Sequence, residues 1–234
     1  EFSSCLLAIS IIEKFQNDNI WHDLLEQNDD VEYWKQYVHI NTNKKVPVWS
    51  FFPSQKKAIK NGVLTQSTFS LQMPTSAGKT YISELIIYNE IKSNRENKAL
   101  YLAPFRALAS ELKLSLATDL ALLGVRSKTI YGGNAPTSDE KNSIEEVDLL
   151  IATPEKFMAI EDAIPGISNQ LTTIICDEGH LLDEQTRGLS YELLLSRLKE
   201  NHAEQHRFVL ISAIIPNIED ITSWLGGEND TRIT

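Results

Sequence analysis

The chain has 234 residues, 42% hydrophobic and 23% charged, which suits one large α/β domain with an appendage or two small domains. Its formal charge of −10 speaks against gripping polyanions mainly through a bulk positive field, but leaves room for a few backbone amides and placed side chains. No apolar run is long enough to span a bilayer, Cys5 and Cys176 form no disulfide framework or metal-ligand spacing, and His22, His39, His180, His202 and His206 show no zinc pattern, so no membrane and no zinc is expected.

Residues 1–40 read as amphipathic helices. The apolar run from Cys5 to Ile12 lacks a basic stretch before it and a cleavage site after it, so a buried helix is expected there rather than a signal segment. Trp21 and Trp34 read as core residues. The polar stretch from Asn41 to Pro47 reads as a boundary. It divides an N-terminal helical extension (1–45) from a larger domain (46–234). The chain opens on Glu1, so a longer parent protein is expected, intracellular and with reduced cysteines.

After the boundary, strand and helix patterns alternate. Short apolar strands are expected at 69–73, 99–103, 127–131, 148–153, 172–177 and 208–212, with helices at 79–92, 105–122, 155–163 and 189–200. That pattern implies an α/β fold, a mostly parallel sheet sandwiched by helices. Ligands of such sheets bind outside the carboxyl ends of the strands. Thr75–Thr80, Pro104–Arg106, Gly132-Gly133, Thr153–Glu155, Asp177–His180 and Ser212-Ala213 all fall at those ends.

Met73-Pro74-Thr75-Ser76-Ala77-Gly78-Lys79-Thr80 has the parts of a phosphate cradle. A small-residue turn leads into a helix whose positive end faces the ligand. Gly78 allows close approach, Lys79 would meet the β and γ oxygens, and Thr80 would help hold Mg²⁺. The full signature has glycine where Met73 stands, so a plain helix start is an equal reading of these residues alone. A second feature shifts the balance. The apolar strand Leu171–Cys176 runs into Asp177-Glu178-Gly179-His180, and carboxylates are costly to bury unless paired or bound to a metal. Asp177 would hold Mg²⁺ through water together with Thr80, and Glu178 would orient or deprotonate the attacking water. A solvated acidic turn is the alternative. Both halves on one β/α pattern favour a nucleotide triphosphatase site.

From about residue 49 to 227 the chain resembles the first motor domain of superfamily 2 helicases, in the Ski2-like and Hel308-like DExH branch. Phe52-Pro53-Ser54-Gln55 with Ala58, Ile59 and Gly62 resembles the branch's Q motif, and Pro74–Thr80 matches its P-loop, which needs no glycine at 73. Ala103–Ala109 is similar to motif Ia, Gly132-Gly133 and Ala152–Lys156 to motifs Ib and Ic, and Asp177–His180 to motif II. Leu181-Leu182-Asp183, Arg187-Gly188 and Glu192 look specific to the branch, and Ser212–Asn217 resembles motif III. The resemblance implies a RecA-like P-loop NTPase domain that uses ATP and Mg²⁺. Gln55 would read the adenine edge. Thr75, Ser76, Ala77, Gly78, Lys79 and Thr80 would cradle the phosphates. Pro104, Arg106, Gly132, Gly133, Thr153 and Pro154 would contact a nucleic-acid strand, single or partly duplex, with DNA slightly favoured over RNA. His180, Ser212 and Ala213 would couple hydrolysis to movement.

Motif III departs from the usual Ser-Ala-Thr, because Ile214 stands where a hydroxyl is common. The resemblance also implies a second RecA-like domain supplying arginines to the γ-phosphate, worth about 10³–10⁵ in rate in such motors. Residues 1–234 leave no room for it, so these residues alone are expected to hydrolyse ATP very slowly. Defence helicases of the Hachiman type share this look. A double-strand translocase of a restriction or defence system and a degenerate helicase-like scaffold remain alternatives.

Overall fold

The structure, a computed structural model, describes residues 2–25, 32–74, 77–132, 135–183, 188–202, 206–213, 217–226 and 232–233. They fall into two compact units, 1–60 and 61–234.

The first unit is helical: α1 (Phe2–Asn17), α2 (Ile20–Leu25), α3 (Glu32–Asn43) and α4 (Pro53–Lys60). Ile20, Leu24, Trp34, Tyr37 and Val38 are buried. The Trp34 and Tyr37 rings meet edge to face at 5.6 Å, a favoured aromatic geometry. The Lys56 ammonium pairs with Asp18 and Asp23, tying α4 to the α1–α2 corner. Two expectations need correction. The run from Cys5 to Ile12 is helical but not buried: residues 3–17 are exposed, with Leu7 at 63% and Phe15 at 68%. Apolar residues at Leu6, Leu7, Ile9, Ile11 and Ile12 ring the helix, and none of the described residues covers them. Trp21 is exposed on α2, while Ile20 and Leu24 supply that helix's buried face.

The second unit is a parallel sheet of β1 (Phe69–Gln72), β2 (Lys98–Leu102), β3 (Ser127–Ile130), β4 (Leu149–Ala152), β5 (Leu171–Asp177), β6 (Arg207–Ser212) and β7 (Arg232–Ile233). Among the described residues its order is β3-β4-β2-β5-β6-β1-β7. All six predicted strands form; the two-residue β7 is too short to leave a sequence pattern. Strands inside the sheet edges are apolar on both faces, as β4 (Leu-Leu-Ile-Ala, all buried) illustrates. The connecting helices are α5 (Lys79–Ser93), α6 (Arg106–Leu114), α7 (Leu116–Leu122), α8 (Ser138–Glu145), α9 (Pro154–Ala163), α10 (Gly188–His202) and α11 (Ile218–Trp224). α5 buries residues around most of its circumference, from Ile82 to Ile91, as a central helix must.

One predicted helix, 105–122, is two helices. Ser115 leaves helical geometry at φ −105°, ψ −83°, and its hydroxyl bonds back to the Glu111 carbonyl at 3.0 Å. α8 carries a signal that periodicity passes over: Thr137 and Glu140 form a reciprocal capping box. Among the described residues no helix is long and apolar enough to cross a membrane.

Register at the outer edge is set by charge. Just before β3 and β4, the Arg126 guanidinium grips Asp148 at 2.6 and 3.2 Å, and the Arg126 N–H donates to the same carboxylate at 2.8 Å. Burial pushes the Asp148 carboxyl up, but the Arg126 guanidinium and N–H outweigh it and hold the group below its ordinary value. Asp148→Ala is expected to cost about 1 kcal/mol at neutral pH, since the exposed side of Arg126 is screened by water. Stabilisation from a depressed carboxyl is complete above the ordinary value of 3.8 and is lost as pH falls through the lower folded-state value. Urea midpoints of wild type and variant should therefore differ at pH 7 and converge below 3.8. A gap that stayed constant with pH would show that the ion pair is not its source.

Candidate functional site

The loop after β1 begins beside β6. Gln72 lies opposite Ser212, and the buried Met73 donates its N–H to the Ser212 carbonyl at 3.0 Å. Met73 thus anchors the loop with an apolar side chain only 2% exposed, which is why glycine is dispensable there. The Ala77 N–H closes a turn on the Pro74 carbonyl at 3.0 Å. Gly78 then takes the left-handed conformation, φ 77°, which costs other residues about 1 kcal/mol or more. Gly78 at the N-cap brings no side chain to the start of α5, so the turn presents the positive end of a 15-residue helix. Thr75 and Ser76 lie outside the described residues. Ala77 is half-buried and Thr80 is exposed.

Lys79 crosses from α5 to the end of β5, where its Nζ lies 3.2 Å from Glu178 Oε1. The other Glu178 oxygen is 3.2 Å from His180 Nδ1, and the same nitrogen is 3.2 Å from Ser212 Oγ. A polar chain Lys79–Glu178–His180–Ser212 therefore joins the loop after β1 to the ends of β5 and β6. Glu178 holds an uncommon backbone conformation for a residue with a side chain, φ 51°. That turn aims its carboxylate toward Lys79 and His180.

Asp177 stands next to this chain, 7% exposed. The Tyr101 hydroxyl donates to Asp177 Oδ2 at 2.7 Å, and the Glu178 N–H donates to Oδ1 at 2.8 Å. Burial raises the Asp177 carboxyl above its ordinary value, and the Tyr101 hydrogen bond and the Lys79 charge offset this only in part. From the other side, the Tyr191 hydroxyl lies 3.0 Å from the Asp177 carbonyl and 3.1 Å from that of Leu102. Neither tyrosine stands out in the sequence, because a tyrosine in an apolar strand or helix reads as core. Gly188 also has a structural reason: a Cβ there would sit 2.6 Å from the Leu182 carbonyl oxygen, so only glycine lets α10 start this close to the turn after Asp177. Arg187 lies outside the described residues, and Glu192 is exposed on α10.

The remaining predicted residues are placed as follows. Arg106 is exposed at the start of α6, with Pro104 half-buried just before it. Gly132 follows β3 half-buried; Gly133 lies outside the described residues. Thr153 is buried, its hydroxyl accepting from the Lys156 N–H at 3.4 Å to cap α9, with the buried Pro154 next. Ends of β3, β4 and β2 are neighbours, so Gly132, Thr153-Pro154 and Pro104–Arg106 share one stretch of the sheet edge. Gln55 belongs to the first unit, buried, with Oε1 accepting from the Phe52 N–H at 2.9 Å at the start of α4. Ala213 is half-buried, and Ile214 lies outside the described residues.

The donor set suits a hard cation. Thr80 and Asp177 offer oxygen only, and among the described residues no cluster of three His, Cys, Asp or Glu could hold a metal unaided. Mg²⁺ characteristically takes one or two protein oxygens and completes its shell with phosphates and water. Because burial raises the Asp177 carboxyl, ionising it costs the free fold stability, a cost that grows as pH rises from 3.8 through the raised value. Asp177→Asn is therefore expected to raise the melting temperature at neutral pH by about 2–4 °C, roughly 1 kcal/mol, by removing the cost of ionising a buried carboxyl. The gain should shrink below pH 3.8; a lower melting temperature for the variant at neutral pH would contradict this account.

Residues 52–221 match the DEAD/DEAH box helicase family. The chain is 30% identical over 232 residues to Hachiman protein HamB of Bacillus cereus, covering 97% of this chain and 20% of that protein. It is also 30% identical over 181 residues to ATP-dependent DNA helicase Hel308 of Methanocaldococcus jannaschii, covering 75% of this chain and 15% of that one. The chain thus spans a fifth or less of the length of these curated relatives. Among solved structures, helicase MrfA bound to DNA superposes with a TM-score of 0.68 at 21% identity, over 87% of this chain and 28% of that one. A hypothetical ATP-dependent RNA helicase from Sulfolobus tokodaii gives 0.64 at 20% identity, over 84% and 55%. These structural likenesses establish the α/β RecA-like fold, and the family match together with the sheet and its loops makes this chain a member of the DEAD/DEAH box helicases, carrying the first RecA-like domain.

Proposed function

We propose that residues 46–234 form the ATP-binding motor domain of an intracellular helicase that couples ATP hydrolysis to movement along a nucleic-acid strand, with residues 1–45 as a helical extension. The observation that carries this reading is the Lys79–Glu178–His180–Ser212 chain beside the buried Asp177. It sets a cation, a base and a metal-type carboxylate around one helix N-terminus. Lys79, held by Glu178 at 3.2 Å in this state, turns to the β and γ oxygens when the phosphates arrive. Release of Lys79 frees Glu178 to orient and accept a proton from the attacking water. Asp177 and Thr80 are the residues that would hold Mg²⁺, which would supply charge neutralisation at the phosphates. His180 passes the change at Glu178 to Ser212 at the end of β6. A second RecA-like domain of the parent protein supplies the arginines that complete the site, so residues 1–234 alone turn over very slowly.

The neighbouring stretch of the edge binds the strand. Exposed Arg106 contributes charge, and Gly132-Gly133 and the start of α9 contribute backbone amides. The Thr153 hydroxyl accepts from the Lys156 N–H to set the start of α9, and its own O–H would donate to a phosphate of the strand. Such contacts need no positive field, which fits a net charge of −10, and they read no sequence. DNA is favoured over RNA by the likeness to the ATP-dependent DNA helicase Hel308.

In the intact protein, nucleic acid should stimulate ATP hydrolysis, with single-stranded DNA more effective than RNA. Lys79→Ala and Glu178→Gln should each lower kcat by about 10²-fold or more. If no stimulated hydrolysis were measured, or Lys79→Ala left it unchanged, the motor reading would be wrong and a scaffold role would replace it. Arg106→Ala should weaken strand binding alike on all sequences and reduce the magnitude of the salt slope by about 0.7 for single strands. A sequence-dependent loss would point to base readout instead.

A further inference from the structure

Tyr101 and Tyr191 meet the paired ends of β2 and β5 from opposite faces of the sheet. Tyr101 lies between Leu100 and Leu102, which pack with Tyr191 and Cys176 in one cluster, so alternation turns Tyr101 to the other face, near Ser83 of α5. Each is 1% exposed. A buried tyrosine needs some hydrogen-bond partner, and the bland reading is that both found one within a core. Their partners argue otherwise. Beside Ser83 and the Cys176 thiol, these hydroxyls reach the Asp177 carboxylate, the Asp177 carbonyl and the Leu102 carbonyl. Leu102 lies opposite Cys176 in the β2–β5 ladder, four residues before Arg106. The Tyr191 hydroxyl has one proton and faces two carbonyls at 3.0 and 3.1 Å, so it can favour either strand end but not both fully.

We propose that Tyr101 and Tyr191 form a two-hydroxyl latch that couples the ATP site at Asp177 to the nucleic-acid loop that leaves β2. The inference rests on the motor reading above and specifies how its two halves communicate. Any shift of Asp177 on nucleotide binding pulls on Tyr101 through the carboxylate and on Tyr191 through the carbonyl. Tyr191 passes the change to Leu102, and β2 carries it to Pro104–Arg106. The Tyr101 bond to the Asp177 carboxylate is buried and short at 2.7 Å, which suits transmission. Both tyrosines are positioning residues, since neither would touch nucleotide or strand.

The test is a binding linkage measured on the intact protein. Affinity for a fluorescein-labelled oligothymidylate is read by anisotropy, with and without Mg²⁺ and a non-hydrolysable ATP analogue. Wild type should show a nucleotide-dependent change in oligonucleotide Kd, within the roughly 5–150-fold range typical of coupled sites. Tyr191→Phe and Tyr101→Phe keep the rings and remove only the hydroxyls. Each should bring the ratio most of the way to 1, while the oligonucleotide Kd without nucleotide stays within about 3-fold of wild type. Tyr88→Phe, at a fully buried tyrosine on α5, controls for loss of a core hydroxyl and should keep the wild-type ratio. Retention of the wild-type ratio by both Tyr101→Phe and Tyr191→Phe, or an equal loss in Tyr88→Phe, overturns the latch and leaves the motor reading standing. A wild-type protein that binds no oligonucleotide overturns the motor reading, and the latch with it.

Discussion

A carboxylate at the end of an apolar strand is the constraint around which this domain is arranged. β5 buries six of its seven residues and ends in Asp177, which the surrounding core pushes toward its neutral form. Tyr101 offsets part of that cost by hydrogen bonding, Lys79 by charge and the Glu178 N–H by backbone geometry. These partners come from β2, α5 and the turn after β5. The site is therefore inseparable from the order of the central strands, because β2, β5 and β6 must be neighbours for the groups to converge. Ionised Asp177 is a charge that the free fold tolerates rather than favours, and the proposed Mg²⁺ would offset that cost.

Strand order also divides the labour along the edge. β5, β6 and β1 carry the proposed ATP site, and β3, β4 and β2 the proposed strand-binding surface. β2 is the border, the one strand whose residues face both. This division explains how an acidic protein could hold a polyanion. Helix starts and a left-handed glycine turn concentrate partial positive charge locally, whatever the net charge of −10 of the whole chain.

Much of this was legible in the sequence because the signals are local. Apolar runs gave the six longer strands, and Gly78-Lys79-Thr80 and Asp177-Glu178 marked their ends. What was illegible depends on tertiary contact. A tyrosine that latches strand ends looks like any core tyrosine. Gly188 reads as a helix start until its Cβ is placed against the Leu182 carbonyl. The break at Ser115 follows a back-bond that helical periodicity does not register. α1 misleads in the other direction: its apolar composition implies burial, but composition cannot say what covers a helix, and the described residues do not.

The turn after β5 shows how such a site is held together in the fold. Glu178 occupies the left-handed region, which costs a residue with a side chain about 1 kcal/mol or more. The conformation persists because the surroundings fix it from several sides. Lys79 and His180 hold the side chain, the Leu181 N–H bonds back to the Glu178 carbonyl at 2.9 Å, and α10 packs its Gly188 directly on the turn. Relaxing Glu178 to an ordinary conformation would turn its carboxylate away from Lys79 and break the line to Ser212. The strain is therefore tied to the direction of one carboxylate. A domain selected only for stability would have kept neither this turn nor a desolvated Asp177, and both features stand where the proposed chemistry requires them.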